Sequence, residues 1–167
     1  MTFASDVDSI IKHALADVDS VFKNVAHDVA MRVINQTPVD IDMKVVKGKI
    51  IPGGTTKNSW YSGVNKKPTG RGRRHANGTG KQAIAQAEAA IASLKAGDTF
   101  RMVNRKPYIK VLEFGGYPKA PKKGKGKTVN GYSTQAPQGI ARISLIRAKT
   151  RLRRYANIVR AKSRGAK

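Results

Sequence analysis

Catalysis needs reactive side chains brought together, and this chain of 167 residues supplies few of them. Acids are scarce: of ten, only Glu88, Asp98 and Glu113 lie beyond Asp42, each in a different segment. General acid–base chemistry asks for paired carboxylates or a positioned histidine. His13 and His27 are fourteen residues apart, and His75 is remote from both. Metal ligands on one helix face are spaced by three or four, so these histidines predict no metal site. Cysteine is absent, which removes disulfides and thiolate ligands and fits a reducing compartment. Neither G-x-S-x-G nor H-E-x-x-H occurs. Lys125-Gly126-Lys127-Thr128 has the end of a phosphate loop but lacks the first glycine at the required spacing. These residues predict a protein that is not an enzyme and takes no cofactor. Glu113 is the one tempting acid. Its expected role is structural or interfacial, capping backbone N–H groups or pairing with an arginine of its own or a neighbouring chain.

What the chain has in abundance is positive charge: 33 Lys+Arg against ten acids, a formal net charge of +23. The charge is also polarised. Residues 1–43 hold seven of the ten acids and three bases, while residues 44–167 hold thirty bases and three acids. Self-repulsion at this density works against compactness, so an acidic neighbour is expected, either nucleic acid or protein. The acidic N-terminus has no uninterrupted apolar run, and no window reaches the length of a membrane span. No signal peptide and no membrane partner are therefore expected.

Six segments must position whatever these residues do. Val7, Ile10, Ile11, Ala14, Val18, Val21, Phe22, Val25, Val29 and Val33 recur at steps of three and four. That is one face of a helix from Ser5, a good N-cap, to Gln36, stopped by Pro38. At about 1.5 Å per residue it is roughly 48 Å long, more than a domain of this size needs, so part of its face is available to a neighbouring subunit. Residues 44–51 predict a short strand or hairpin arm, and Thr55–Val64 a strand with Trp60 in the sheet–helix core. Residues 80–96 predict a second helix closed by Gly97, and 98–103 a second strand. Pro137 predicts the first position of a last helix whose later part carries ten bases and no acid from Arg142 onward. Residues 161–167 are expected to be a frayed basic tail.

Two loops separate these elements. Residues 65–81 carry Lys66, Lys67, Arg71, Arg73, Arg74 and Lys81 among four glycines. Residues 115–133 carry Lys119, Lys122, Lys123, Lys125 and Lys127 among five glycines and two prolines. Neither loop can bury a core, and both are candidates for ordering on DNA or on a partner.

Between the strands and the last helix the spelling becomes specific. Asn104, Pro107-Tyr108 and Leu112-Glu113-Phe114-Gly115 are followed by Gln135-Ala136-Pro137-Gln138-Gly139 and Arg142. Thr37-Pro38-Val39-Asp40 and Ser59-Trp60 stand upstream. This pattern resembles the neck proteins of tailed bacteriophages, the head–tail joining or tail completion family, whose signature reads N…PYA..LEYG…QAPQGM.R after TPVDTG and an S/N-W pair. Residues 41–54 look like an insertion relative to that family. The resemblance implies an α+β fold: a small antiparallel sheet packed against a long N-terminal helix, a middle helix and a C-terminal helix, with two long basic loops, in a single domain over 1–167. It marks Pro38, Trp60, Asn104, Tyr108, Glu113, Gly115, Ala136, Pro137, Gly139 and Arg142 as fold and interface positions. It implies a virion structural protein assembled in the bacterial host cytoplasm as a homo-oligomeric ring, six-fold favoured over twelve-fold. Its neighbours would be portal, adaptor or tail-tube proteins, with packaged double-stranded DNA in the channel. The alternative from charge alone is a basic nucleic-acid-binding protein of architectural or ribosomal type. Its aromatics are too sparse for a stacking platform, and it has no helix-turn-helix, zinc finger or RNP motif.

Overall fold

The computed structural model describes residues 3–39, 44–46, 49–51, 55–70, 78–116 and 128–165. The fold is α+β, organised on one long helix, α1 (Phe3–Gln36). It begins two residues before the expected cap, so Ser5 lies inside the first turn, and Asp6 sits near the positive end of the helix dipole. Its C-terminus is closed locally. The Thr37 hydroxyl donates to the Val33 carbonyl at 2.6 Å, the Thr37 N–H bonds the Ile34 carbonyl, and Pro38 cannot continue the ladder.

After the hairpin β1 (Lys44–Val46) and β2 (Lys49–Ile51), the chain makes α2 (Thr55–Asn58) and β3 (Trp60–Val64). The strand expected over Thr55–Val64 is therefore only its second half. Residues 55–58 coil because Ser59 turns its hydroxyl back to the Thr55 carbonyl and its N–H to that of Thr56, a local alternative to strand pairing. Next come α3 (Lys81–Ala92), β4 (Phe100–Asn104) and α4 (Ile109–Phe114). Strands β3 and β4 pair antiparallel from Trp60↔Asn104 to Val64↔Phe100. The hairpin β5 (Thr128–Val129) and β6 (Tyr132–Ser133) lies where an uninterrupted loop was expected, and α5 (Ala141–Gly165) ends the fold. Residues 161–165 are helical, so the expected tail is shorter than 161–167.

The middle helix also stops early. Past Ala92 its backbone finds other partners: the Lys95 N–H bonds the Asp98 carboxylate, and the Ala96 N–H bonds Asp19 across on α1. Gly97, at φ 91°, is therefore the pivot of the turn into β4 and not the helix cap.

Both α3 and α5 run antiparallel to α1. Gly80 abuts Ile34 at one end of α3, and Ala96 meets Asp19 at the other. The Ser144 hydroxyl donates to Gln36 at 3.2 Å near the start of α5, and Arg151 pairs with Asp28 at 2.8 Å further along. Ala26, Ala30, Val33 and Ile34 of α1 meet Ala83, Ala87 and Ile91 of α3, with Trp60, Leu112 and Ile140 completing the core. Alanine on both helices lets their axes approach closely. All of the buried α1 positions lie in its C-terminal half.

Candidate functional site

Four of the residues singled out in the sequence, Glu113, Gly115, Gly139 and Arg142, meet at the junction of α4 and α5. Strand β4 ends at Asn104, and its side chain works in two directions. The amide N–H donates to the Thr56 carbonyl at 3.0 Å, and the amide oxygen accepts the Lys106 N–H at 3.1 Å. The turn through Pro107 delivers Tyr108, whose hydroxyl hydrogen-bonds that of Thr56. Leu112 is then buried in the core, which fixes the rotation of α4 and aims Glu113 at the start of α5.

Helix α5 needs that carboxylate. Its first turn opens at Ile140, whose carbonyl accepts the Ser144 N–H, and isoleucine has no side-chain oxygen with which to cap. Glu113 supplies the cap from elsewhere in the chain. One oxygen accepts the N–H groups of Ile140 and Ala141, both at 2.7 Å, and the other accepts that of Arg142 at 2.8 Å. Arg142 reaches back. Its Nε lies 3.3 Å from the Glu113 carboxylate and its Nη2 donates to the Glu113 carbonyl at 2.8 Å. The same guanidinium contacts the Tyr132 hydroxyl and sits 5.0 Å from the centre of the Phe114 ring.

Two glycines make room for this clasp. Gly139 has φ 81°, and a Cβ there would stand 2.5 Å from the Glu113 carbonyl oxygen. Gly115 ends α4 at φ 77°, and a Cβ there would press on the Gly131 carbonyl and the Tyr132 ring at 3.1 Å. Gly139 also corrects the expectation for Pro137. A left-handed residue cannot lie within a helix, so α5 starts at Ala141, while Pro137 lies in a turn closed by Gly139 N–H to Ala136 carbonyl. Ala136 is buried and belongs to the core.

Burial would raise the Glu113 carboxyl, but hydrogen bonds from the Arg142, Ile140 and Ala141 N–H groups and from the Arg142 side chain outweigh it and hold it below the ordinary carboxylate range. With four donors in place, this carboxylate is engaged in stabilising a helix terminus, which is a positioning task.

Trp60 and Thr37 form a second junction. The Trp60 indole N–H donates to the Thr37 hydroxyl at 2.7 Å, and that hydroxyl donates onward to Val33, so the tryptophan is tied to the end of α1 just before Pro38. Sequence reading missed three residues that serve these junctions. Asn58 accepts the Gln82 N–H at 3.1 Å and so caps α3, Thr56 receives Asn104 and Tyr108, and Tyr132 receives Arg142. Asn58 stood two positions before the noticed Trp60, and an Asn is a capping type; Thr56 and Tyr132 carried no local signal.

The basic loops contribute less to the described surface. Lys66 and Lys67 are exposed beside β3. Arg71, Arg73, Arg74, Lys119, Lys122, Lys123, Lys125 and Lys127 lie outside the described residues. Among the described residues, no group of three or more His, Asp or Glu could hold a metal, and no helix is long and apolar enough to cross a membrane. Exposed positive charge is instead concentrated on α5, at Arg147, Lys149, Arg153, Arg154 and Arg160.

No family model matches the chain, and no curated protein or solved structure matches it either.

Proposed function

We propose that this chain is a structural virion protein of a tailed bacteriophage, a component of the neck ring that joins the DNA-filled head to the tail. The observation that carries this reading is the meeting of the two halves of the signature. Glu113 and Gly115 from the first half and Gly139 and Arg142 from the second interlock at one point. The resemblance therefore rests on residues that act together and not on scattered matches. A signature spent on holding two helices at a fixed angle marks a scaffold, and a ring subunit needs a scaffold that fixes its faces. Ring closure requires a heterologous contact, one face of a subunit meeting a different face of the next. In this reading a six-fold ring on the tail side is favoured over a twelve-fold connector layer. Portal, adaptor or tail-tube proteins are its neighbours, and packaged duplex DNA passes through the channel.

A specific observation favours a second reading, a basic nucleic-acid-binding protein of architectural or ribosomal type: α5 exposes Arg147, Lys149, Arg153, Arg154 and Arg160 with no acid in the same helix. Size-exclusion chromatography with light scattering, at low and high salt and with and without duplex DNA, separates the two. A salt-sensitive multimer, or a monomer indifferent to duplex at physiological salt, supports the neck reading. Stoichiometric duplex binding by a monomer, with a log–log salt slope of about −4 or steeper, transfers the assignment to the second reading.

A further inference from the structure

We propose that the N-terminal half of α1 docks on the outer face of α5 in a second copy of this chain, and that this head-to-tail contact is what closes the ring. The inference rests on the neck reading and specifies its interface.

Val7, Ile10, Ile11, Leu15 and Val18 are exposed at 36%, 67%, 51%, 55% and 53%. Their spacing places them along one stripe of α1. At about 100° per residue, Asp6 and Asp17 border that stripe on one side and Asp8 and Asp19 on the other. Lys12 is the one base among residues 3–18. Five large apolar residues in line, rimmed by charge, mark an interaction surface and not a solvated face. The same helix shows how such a stripe is used, because its continuation through Val29 and Val33 is packed in the core of its own chain.

The complementary face is on α5. Leu145 and Leu152 are exposed at 58% and 45%, one above the other two turns apart, with Lys149, Arg153 and Arg160 beside them. No acid occurs in α5. Apolar would meet apolar, and aspartate would meet lysine and arginine. The chain contains one instance of this pairing already: α5 lies antiparallel on the C-terminal half of α1, with Arg151 on Asp28 at 2.8 Å.

The charges also select the occupant. A symmetric contact between two α1 stripes would set aspartates against aspartates, and one between two α5 faces would set bases against bases; like-charge juxtaposition disfavours both. Duplex DNA and anionic membranes are repelled by the acidic rim for the same reason. A face of one sign meeting a face of the other on the next copy is heterologous, the geometry that generates rings.

The chain contains no cysteine, so engineered disulfides report the contact directly. Full-length Ile11→Cys and Leu152→Cys proteins are mixed and oxidised. A link within one chain is out of reach. Leu152 follows Arg151, which is held at Asp28, and seventeen residues of α1 separate Asp28 from Ile11. That is about 26 Å of helix, against the ~7 Å Cα separation that a disulfide spans. The expected result is a mixed dimer formed about tenfold faster than either self-linked dimer, slowed by salt, together with a ladder of multimers from the doubly substituted chain. Asp6→Lys with Asp8→Lys in the Ile11→Cys protein abolishes the mixed link, and Lys149→Asp with Arg153→Asp in the partner restores it. Preferential self-linking of Ile11→Cys, or no mixed link at all, overturns the inference. Light scattering on the same samples then decides what else falls: a multimer without the mixed link leaves the neck reading standing with another interface, whereas a monomer that binds duplex stoichiometrically removes both.

Discussion

The clasp around Glu113 and the N-terminal half of α1 present aspartate or glutamate beside apolar side chains, yet they are opposites. In the clasp every partner comes from the same chain: three backbone N–H groups and an arginine surround one carboxylate, and Leu112 and Ile140 anchor it in the core. On α1 from Val7 to Val18 the apolar stripe faces solvent. The difference shows where this chain completes itself and where it leaves a surface to be covered. A clasped region contributes to folding, and substitutions there should appear as lost stability. An open stripe contributes little to the monomer, and substitutions there should appear only in assembly.

The sharpest way to break this contrast is Gly139→Ala. The left-handed backbone and the approach of Glu113 leave no place for a methyl group. The expected loss is roughly 3 kcal/mol or more, a fall in Tm of about 6–12 °C by circular dichroism. A melt within a degree or two of the parent would show that the clasp does not constrain the fold.

Glu113→Ala should cost about 2–3 kcal/mol, and Glu113→Gln less, because the amide still accepts hydrogen bonds but carries no charge. The pH dependence has a definite sign. The folded carboxyl is held below its ordinary range, so its stabilisation is complete above the unfolded value and is lost as pH falls through the folded one. Denaturant titrations from about pH 6 down to about pH 3 should therefore show the gap between parent and Glu113→Gln shrinking on acidification. A constant gap would mean that the charge is not what holds α5.

Trp60→Phe keeps most of the buried ring and removes the donor to Thr37. About 1–2 kcal/mol should be lost, and a cycle with Thr37→Val should be non-additive. Additive losses would show that the bond does not couple β3 to α1.

The smallest expected effect sharpens the comparison from the other side. Ile10→Gln and Ile11→Gln should each change monomer stability by less than about 0.5 kcal/mol, because both side chains already face solvent. Their consequence should be confined to the mass measured by light scattering. A large fall in Tm for the monomer would mean that the stripe is covered within its own chain.

Periodicity and charge could be read from the sequence because both are local. The steps of three and four along α1, the Ala-rich stripe of α3 and the apolar stripe of α5 each mark a helix from local pattern alone, whereas the α+β arrangement was implied by the resemblance. Glu113 stood out because it lies in the family motif beside Gly115, and capping backbone N–H groups was among the roles expected of it. What sequence order could not supply was the partner of each residue. Pro137 looked like a helix start, but the cap that starts α5 is a carboxylate 27 residues earlier in the chain, and Gly139 turns the backbone left-handed so that the two can meet. Thr55–Asn58 looked like strand, but Ser59 and the Asn104–Tyr108 corner bond to it in a helical turn. The sequence by itself determined that three long helices form and which part of the chain is acidic, since spacing and charge need no neighbour. Only the tertiary structure decided which half of α1 is buried, because α3 and α5 both pack on its C-terminal half and leave Val7 to Val18 exposed.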